Sequence, residues 1–162
     1  METTNSRPRY VVDSSVATKW HLRDEEHSDK AVALLVAYRE GLVGLVAPDH
    51  FRFEVPSAIR KTLRTGRLTT QQARTAIAEF LAWQVPTVGG DDLVLAAFEQ
   101  TVRFGCSLYD GAYLALADSL QCPLIHADLS LQNAIGTRFP GAVWIEDWRL
   151  ESPTELGNDD GM

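Results

Sequence analysis

The sequence is poor in cysteine and lysine, and it has no long apolar run. Its two cysteines, Cys106 and Cys122, stand outside any CxxC pattern, which favours free thiols in a reducing compartment over a disulfide or a zinc site. No stretch approaches the roughly 20 apolar residues that cross a bilayer, and the start of the chain is unlike a signal peptide. We therefore expect a soluble cytoplasmic protein with no membrane association.

Basic residues are outnumbered by acidic ones, 15 to 22, which gives a formal net charge of −7. This charge argues against a protein that coats nucleic acid without selectivity, although it is compatible with a locally basic groove. A chain of 162 residues that is 45% hydrophobic fits one globular domain. We place that domain at residues 9–148 and expect the polar segments 1–8 and 149–162 to be flexible tails.

Short apolar runs alternate with segments of helical periodicity along the chain. We predict strands in RYVV (9–12), LVGLVAP (42–48), VPTVGG (85–90), PLIHAD (123–128) and AVWI (142–145). Helices are predicted between them, and the clearest is TTQQARTAIAEFLAW (69–83), in which apolar residues recur at helical spacing. This alternation predicts an α/β fold with a central parallel sheet between helical layers.

Three of the predicted helices carry local signals at or near their starts. Ser14 or Ser15 is expected to cap the helix that follows the first strand, and Thr69 with Gln72 resembles a capping box. Pro56 lies within DHFRFEVPSAIRKTLRTG, where its missing N–H should either kink the helix or mark its true start.

Four acidic residues occur within or beside segments that build the core. Asp13 and Asp128 each follow a predicted strand, so both should emerge at the same edge of a parallel sheet, where ligands bind. Asp110 is in the first turn of an apolar helix, and Glu54 is on the helix after the second strand. Each aspartate is also explained as a helix cap, and Glu54 alone as part of a surface face.

A cap does not explain why four acids fall at one edge with few basic neighbours. Two carboxylates about 4 Å apart repel by on the order of 4 kcal/mol at an effective dielectric constant of about 20. If the four converge, a cation must hold them. Oxygen ligands select a hard ion, so the implied metal is Mg²⁺, for which Mn²⁺ can substitute, and such sites suit phosphate chemistry.

The segments VVDSSVATKW, APDHFRFEVPSAI, SLYDGAYLALA and LIHADLSLQNA resemble, in order and spacing, the acidic motifs of PIN-domain ribonucleases, particularly VapC-type toxins of toxin–antitoxin pairs. The resemblance covers residues 9–148 and implies a PIN-like three-layer α/β/α sandwich. It implies that Asp13, Glu54, Asp110 and Asp128 bind the metal and are catalytic, with Ser15 as a supporting polar residue. It further implies an Mg²⁺-dependent endoribonuclease that forms a homodimer and is silenced by a cognate antitoxin.

The sequence departs from that family at two positions. His126 stands where the family commonly has threonine or serine, and Pro56 closely follows Glu54. His126 has two interpretations: it ligates Mn²⁺ or shuttles a proton, or it is a structural residue at a strand end. We favour the structural interpretation.

Basic residues follow Glu54 on the same predicted helix. RNA phosphates or an antitoxin are the expected ligands of Arg60, Lys61, Arg64, Arg67 and, on another helix, Lys19. The alternative for any one of them is a solvated helix face.

Two other classes of protein are compatible with acids at strand ends. A phosphoryl-transfer domain of the receiver or haloacid-dehalogenase type would need a lysine late in the chain, and the last lysine here is Lys61. A non-catalytic PIN-like interaction module is the other alternative, and the presence of all four acids argues against it.

Overall fold

The computed structural model of the protein describes residues 6–151. Its strands are β1 (Arg9–Val12), β2 (Gly44–Pro48), β3 (Thr87–Val88), β4 (Leu124–His126) and β5 (Ala142–Trp144). Its helices are α1 (Ser14–Thr18), α2 (Ser28–Arg39), α3 (Phe51–Arg64), α4 (Thr70–Ala82), α5 (Asp91–Phe104), α6 (Leu108–Leu120) and α7 (Leu129–Ile135), and a 3-10 turn follows at Ile145–Asp147. All five predicted strands are confirmed.

The strands form one parallel sheet in the order β3-β2-β1-β4-β5. The chain therefore builds outward from β1 to β3 on one side, then crosses to β4 and β5 on the other. The order reverses between β1 and β4, and in open α/β sheets this switch point leaves a crevice at the carboxyl ends of the strands. Asp13 follows β1 and Asp128 lies just beyond β4, so two of the predicted acids flank that crevice.

Burial explains why the strands read as continuous apolar runs rather than alternating ones. Every residue of β2 is buried, as are the last three residues of β1 and all of β4. Strands covered by helices on both faces show this pattern. The predicted α/β/α sandwich with a central parallel sheet is confirmed.

Helix α6 has more buried residues than any other helix of the described chain. Its residues from Gly111 to Ala117 are all buried, and it packs closely on α5. A Cβ atom at Gly111 would lie 2.4 Å from the carbonyl oxygen of Ala97 on α5, a distance at which the two helices would have to separate. The absence of a side chain at Gly111 therefore lets α6 lie close to α5.

The local signals at the helix starts gave mixed results. The capping box of Thr69 and Gln72 is confirmed. The expectation of a serine cap on α1 was wrong, because Asp13 is the N-cap and its carboxylate accepts a hydrogen bond from the Ser15 N–H. Pro56 does not mark the start of α3, which begins five residues earlier at Phe51.

The predicted tails lie largely outside the described residues, which exclude 1–5 and 152–162. Residues 6–8 and 149–151 are described and belong to neither helix nor strand. Within residues 6–151, no helix is both long and apolar enough to span a membrane.

Candidate active site

Asp13 is buried at the carboxyl end of β1, with only 3% of its surface exposed. Its carboxylate accepts hydrogen bonds from the backbone N–H of Ser15, at 3.0 Å, and from the Ser15 hydroxyl. Burial is the main cause that raises the pKa of this carboxyl to about 7; the charges of Glu54 and Asp110 act in the same direction, and the hydrogen bonds from Ser15 oppose them. Within residues 6–151 no lysine, arginine or histidine forms an ion pair with Asp13.

Ser15 connects Asp13 to the neighbouring strand. Its hydroxyl oxygen accepts a hydrogen bond from the N–H of Ala127 at 2.9 Å, while the hydroxyl proton goes to Asp13. Ala127 directly follows β4 and precedes Asp128. Ser15 therefore holds the ends of β1 and β4 together on the two sides of the crevice.

Glu54 lies in the first turn of α3 and is held by a tyrosine from α6. The Tyr113 hydroxyl donates a hydrogen bond of 2.8 Å to Glu54 Oε1. Burial raises the pKa of Tyr113 well above its usual value, and Asp13 and Glu54 reinforce the shift, so the phenol keeps its proton. His50 Nε2 lies 3.0 Å from the same oxygen, without the alignment of a hydrogen bond.

Tyr113 and His50 were not predicted to belong to the site. Tyr113 follows Asp110 by three residues, and His50 precedes Glu54 by four. These are the spacings at which side chains of one helix face lie together. The helical spacing of Tyr113 from Asp110, and of His50 from Glu54, is the sequence signal that could have identified these two residues.

Asp110 and Asp128 complete the group from the other side of the crevice. Asp110 is half-buried in the first turn of α6; burial raises its pKa, and the charges of Asp128 and Glu54 add to the shift. Asp128 is the N-cap of α7 and accepts a hydrogen bond of 3.2 Å from the N–H of Leu131. The cap interpretation is therefore correct for Asp13 and Asp128, and the cap of α6 is Ser107.

The four acids act on one another electrostatically, although they do not form a closed cage. Glu54 and Asp110 each repel the Asp13 carboxylate, and Asp128 repels Asp110. No three Asp, Glu, His or Cys side chains of the described region surround a common point as metal ligands do. The donor set fits a hard cation, because it offers carboxylate oxygens only and its most buried member has no positive partner among the residues that the structure describes.

His126 is completely buried at the end of β4, beside the crevice. Its ring packs edge-on against Trp144, with 5.5 Å between ring centroids, and neither ring nitrogen has a hydrogen-bond partner within residues 6–151. Burial lowers the pKa of His126, so the ring is neutral near pH 7. Packing against Trp144 favours the structural interpretation, whereas the two ring nitrogens without a partner in the described chain do not.

The basic residues predicted to bind RNA or an antitoxin divide into two groups. Lys19 lies 3.4 Å from Glu25, and Arg67 pairs with Asp24 at 2.7 Å and with Glu25 at 3.3 Å. These two are therefore engaged by acids that precede α2. Of the five predicted residues, Arg60, Lys61 and Arg64 on α3 are exposed and form no ion pair in the described part of the chain.

The family model and the curated relatives that match this sequence indicate the same family. The PIN domain model matches residues 10–135. Ribonuclease VapC9 of Mycobacterium tuberculosis and VapC ribonuclease Mb0985 of Mycobacterium bovis are each 32% identical to the chain over 128 residues, which cover 76% of this chain and 88% of the relative.

Solved structures share the fold at lower sequence identity. PAE2754 from Pyrobaculum aerophilum aligns with a TM-score of 0.60 at 20% identity, over 87% of this chain and 93% of that one. VapC20 of Mycobacterium tuberculosis, described as a sarcin–ricin loop cleaving toxin, aligns with a TM-score of 0.56 at 21% identity, over 77% and 94%. At these identities the likeness shows the fold alone.

The raised pKa of Asp13 predicts that metal-free protein loses stability as pH rises. The folded state keeps a proton on Asp13 up to about pH 7, whereas the unfolded chain releases it near the ordinary value of 3.8. The free energy of unfolding therefore falls between these two values. Asp13→Asn removes the titrating group, so in EDTA its melting temperature should exceed that of wild type at about pH 8 and approach it at about pH 5.

Thermal unfolding followed by circular dichroism at both pH values measures this difference. Asp118→Asn, an exposed position two turns further along α6 than Asp110, is the matched control and should show no such dependence. An equal gap between Asp13→Asn and wild type at both pH values would mean that Asp13 is not the titrating group.

Proposed function

The chain belongs to the PIN domain family, and from this we propose that it is a metal-dependent endoribonuclease that serves as the toxin of a toxin–antitoxin pair. The observation that carries the proposal is the group of four acids near the switch point of the sheet, in which Asp110 repels each of the other three and the buried Asp13 has no cationic partner in the described region. The identity of 32% to VapC ribonucleases supports the choice of RNA as substrate.

Asp13, Glu54, Asp110 and Asp128 are the residues that would hold the metal, which we propose to be Mg²⁺ with Mn²⁺ able to replace it. When bound, Mg²⁺ supplies positive charge to the scissile phosphate and makes water a better nucleophile for an in-line attack. The products expected from the family are a 5′-phosphate and a 3′-hydroxyl.

The chain's own residues set the geometry of the acids. Ser15 orients the Asp13 carboxylate through two hydrogen bonds and fixes it relative to the end of β4. Tyr113 holds Glu54 and, because its phenol stays protonated, remains a donor. Such supporting partners limit the side-chain freedom that metal binding must otherwise remove.

The exposed cations of α3 provide a path for the substrate. Arg60, Lys61 and Arg64 lie on the helix that carries Glu54, toward its carboxyl end. Contacts from such residues to phosphates position a nucleic acid without reading its sequence. We propose that RNA reaches the acids along this helix.

Asp13→Asn and Asp110→Asn are each expected to abolish RNA cleavage in Mg²⁺ while the protein stays folded. Loss of a supporting partner of a metal ligand already costs about 10- to 100-fold, so loss of a ligand should cost at least about a hundredfold. Cleavage of a structured RNA is followed on denaturing gels, with mapping of the 5′ ends.

Asp118→Asn is again the matched control, because it changes an exposed aspartate of the same helix, and it should cleave like wild type. Wild type should also melt at a higher temperature in Mn²⁺ than in EDTA, since a ligand of the folded state alone stabilises it. Wild-type rates in Asp13→Asn or Asp110→Asn would remove that residue from the site.

We propose a cytoplasmic antitoxin, encoded beside this chain, as its protein partner. The VapC relatives and the resemblance of the four motifs to VapC-type toxins support this assignment. Expression of the wild-type chain should arrest growth in a bacterial host, and coexpression of the adjacent small reading frame should restore growth. Arrest by Asp110→Asn as well would mean that toxicity does not come from cleavage.

A homodimer is the assembly we propose, formed through an apolar face of α5 and α6. The exposed side chains of this face are Val94, Leu95, Phe98, Val102, Leu108 and Tyr109. Three of them, Val94, Leu108 and Tyr109, line a groove of about 250 Å³ between these helices and the end of β2. Exposed apolar patches of this kind mark interaction sites, and a two-fold dimer would cover the same patch on both copies.

Phe98→Glu should convert the dimer to a monomer, because Phe98 is 58% exposed and an interfacial carboxylate would be buried without a partner. Light scattering coupled to size exclusion measures the mass. Val36→Glu places the same charge on α2, where Val36 is 44% exposed, and should leave the mass unchanged. A dimer of undiminished stability in Phe98→Glu would place the interface elsewhere.

A further inference from the structure

Three arginines lie together at the edge of the sheet opposite the acids. Arg7 and Arg9 stand just before and at the start of β1, and Arg39 is the last residue of α2. Asp13 follows the other end of β1, four residues after Arg9. At about 3.3 Å per residue, the length of the strand puts the two positions about 13 Å apart along the sheet.

The three arginines line two neighbouring cavities. Arg7, Tyr38 and Arg39 line a cavity of about 510 Å³, and Arg7, Tyr38 and Arg9 line a cavity of about 310 Å³. Because Arg7 and Tyr38 are common to both, the two cavities adjoin. We refer to them together as the arginine groove.

Two glycines bring Arg7 close to the backbone that forms one wall of the arginine groove. Gly41 turns the chain after α2 with a positive φ of 75°, and a Cβ there would lie 3.9 Å from Arg7 Nη1. A Cβ at Gly44, the first residue of β2, would lie 3.7 Å from Arg7 Nε. Arg7 is thus held against the turn between α2 and β2.

The charges of the arginine groove are not neutralised by the rest of the described chain. Arg7, Arg9 and Arg39 are all exposed, and none of them forms an ion pair within residues 6–151. The whole chain carries a net charge of −7, so acids are plentiful elsewhere. An unpaired cluster of like charges in an acidic protein creates a local positive potential that attracts an anionic ligand.

The side chains of the arginine groove suit phosphate groups better than a protein segment. Guanidinium groups bind phosphates through paired N–H donors. Tyr38 offers no free donor, since its hydroxyl is engaged with the carbonyl oxygens of Trp83 and Gln84, each at 3.1 Å. Apolar residues also line the two cavities, among them Trp83 and Pro86, so the preference for phosphate rests on the three guanidinium groups.

We propose that the arginine groove is a second phosphate-binding site, which holds the backbone of substrate RNA away from the edge where it is cut. This inference rests on the proposed ribonuclease function. An RNA long enough to reach both edges of the sheet would bind at two places at once, and linked contacts of this kind raise affinity beyond that of either alone. The groove would therefore favour longer RNAs without selecting a sequence.

The double variant Arg7→Gln/Arg39→Gln tests this proposal in the full-length protein. Binding of a fluorescein-labelled single-stranded RNA of about 16 nucleotides is measured by fluorescence anisotropy in EDTA, where cleavage is prevented. The variant should bind on the order of tenfold more weakly. The slope of log K against log salt concentration should fall by about 1.4, which corresponds to about 0.7 for each lost contact with a single strand.

Arg23→Gln/Arg74→Gln is the matched control, because both residues are exposed and neither forms an ion pair in the described chain. It should keep the wild-type affinity and slope, and circular dichroism checks the fold of both double variants. Equal RNA binding by wild type and Arg7→Gln/Arg39→Gln would overturn the proposal. Loss of polyglutamate binding with unchanged RNA binding would also overturn it, and would assign the groove to an acidic protein.

Cleavage of the same RNA by wild type in Mg²⁺ separates this inference from the proposed function. If wild type cleaves the RNA and the arginine variant binds it equally well, only the arginine groove is refuted. If wild type does not cleave, the ribonuclease assignment fails, whereas a selective loss of affinity in the arginine variant would still identify the groove as an RNA site.

Discussion

The carboxylate of Asp13, buried without a positive partner in the described chain, is the constraint around which this structure is arranged. Burial of a charge is unfavourable unless hydrogen bonds or an opposite charge compensate it. Here Ser15 supplies two hydrogen bonds, yet the pKa still rises to about 7. The fold therefore retains an unfavourable interaction at one point, which is typical of sites built for function rather than for stability.

Topology decides which acids can share that point. Asp13 and Asp128 are far apart in sequence, but β1 and β4 are neighbours in the sheet, and the Ser15 hydroxyl accepts a hydrogen bond across the gap between them. Helix α6 then delivers Asp110 and Tyr113 from one face, and it lies close enough to α5 because residue 111 is glycine. Changes far from the crevice can thus alter its geometry through the position of α6.

Much of the fold was predictable because its signals are local. Strands buried on both faces read as apolar runs, and the capping box of Thr69 and Gln72 needs only four residues. The positions of Asp13 and Asp128 at one edge could be predicted because the ends of parallel strands share an edge. The double role of Asp13, as helix cap and as buried acid, was open in the sequence, since both interpretations place a carboxylate after a strand.

Contacts between elements that are far apart in the sequence could not be predicted from local signals. The hydrogen bond from Tyr113 to Glu54 joins α6 to α3, and no pattern within either helix indicates the partner. The same holds for Arg67, whose charge is taken up by Asp24 and Glu25 from a segment about 40 residues earlier. The number of basic residues in a sequence therefore overstates the number of cations that are free to bind an anionic ligand, because some of them form ion pairs.

The distribution of charge across the sheet explains how an acidic protein can bind a polyanion. Asp13 and Asp128 stand at the carboxyl edge of the strands, where a hard cation would offset them, and arginines that form no ion pair in the described chain stand at the amino edge. The net charge of −7 alone would repel RNA. Local potentials act within a Debye length of about 8 to 10 Å at physiological salt, so phosphates near the arginines or α3 are affected mainly by those cations. If the chain acts on RNA as proposed, the separation of the two kinds of charge, rather than their sum, would determine where the RNA backbone lies.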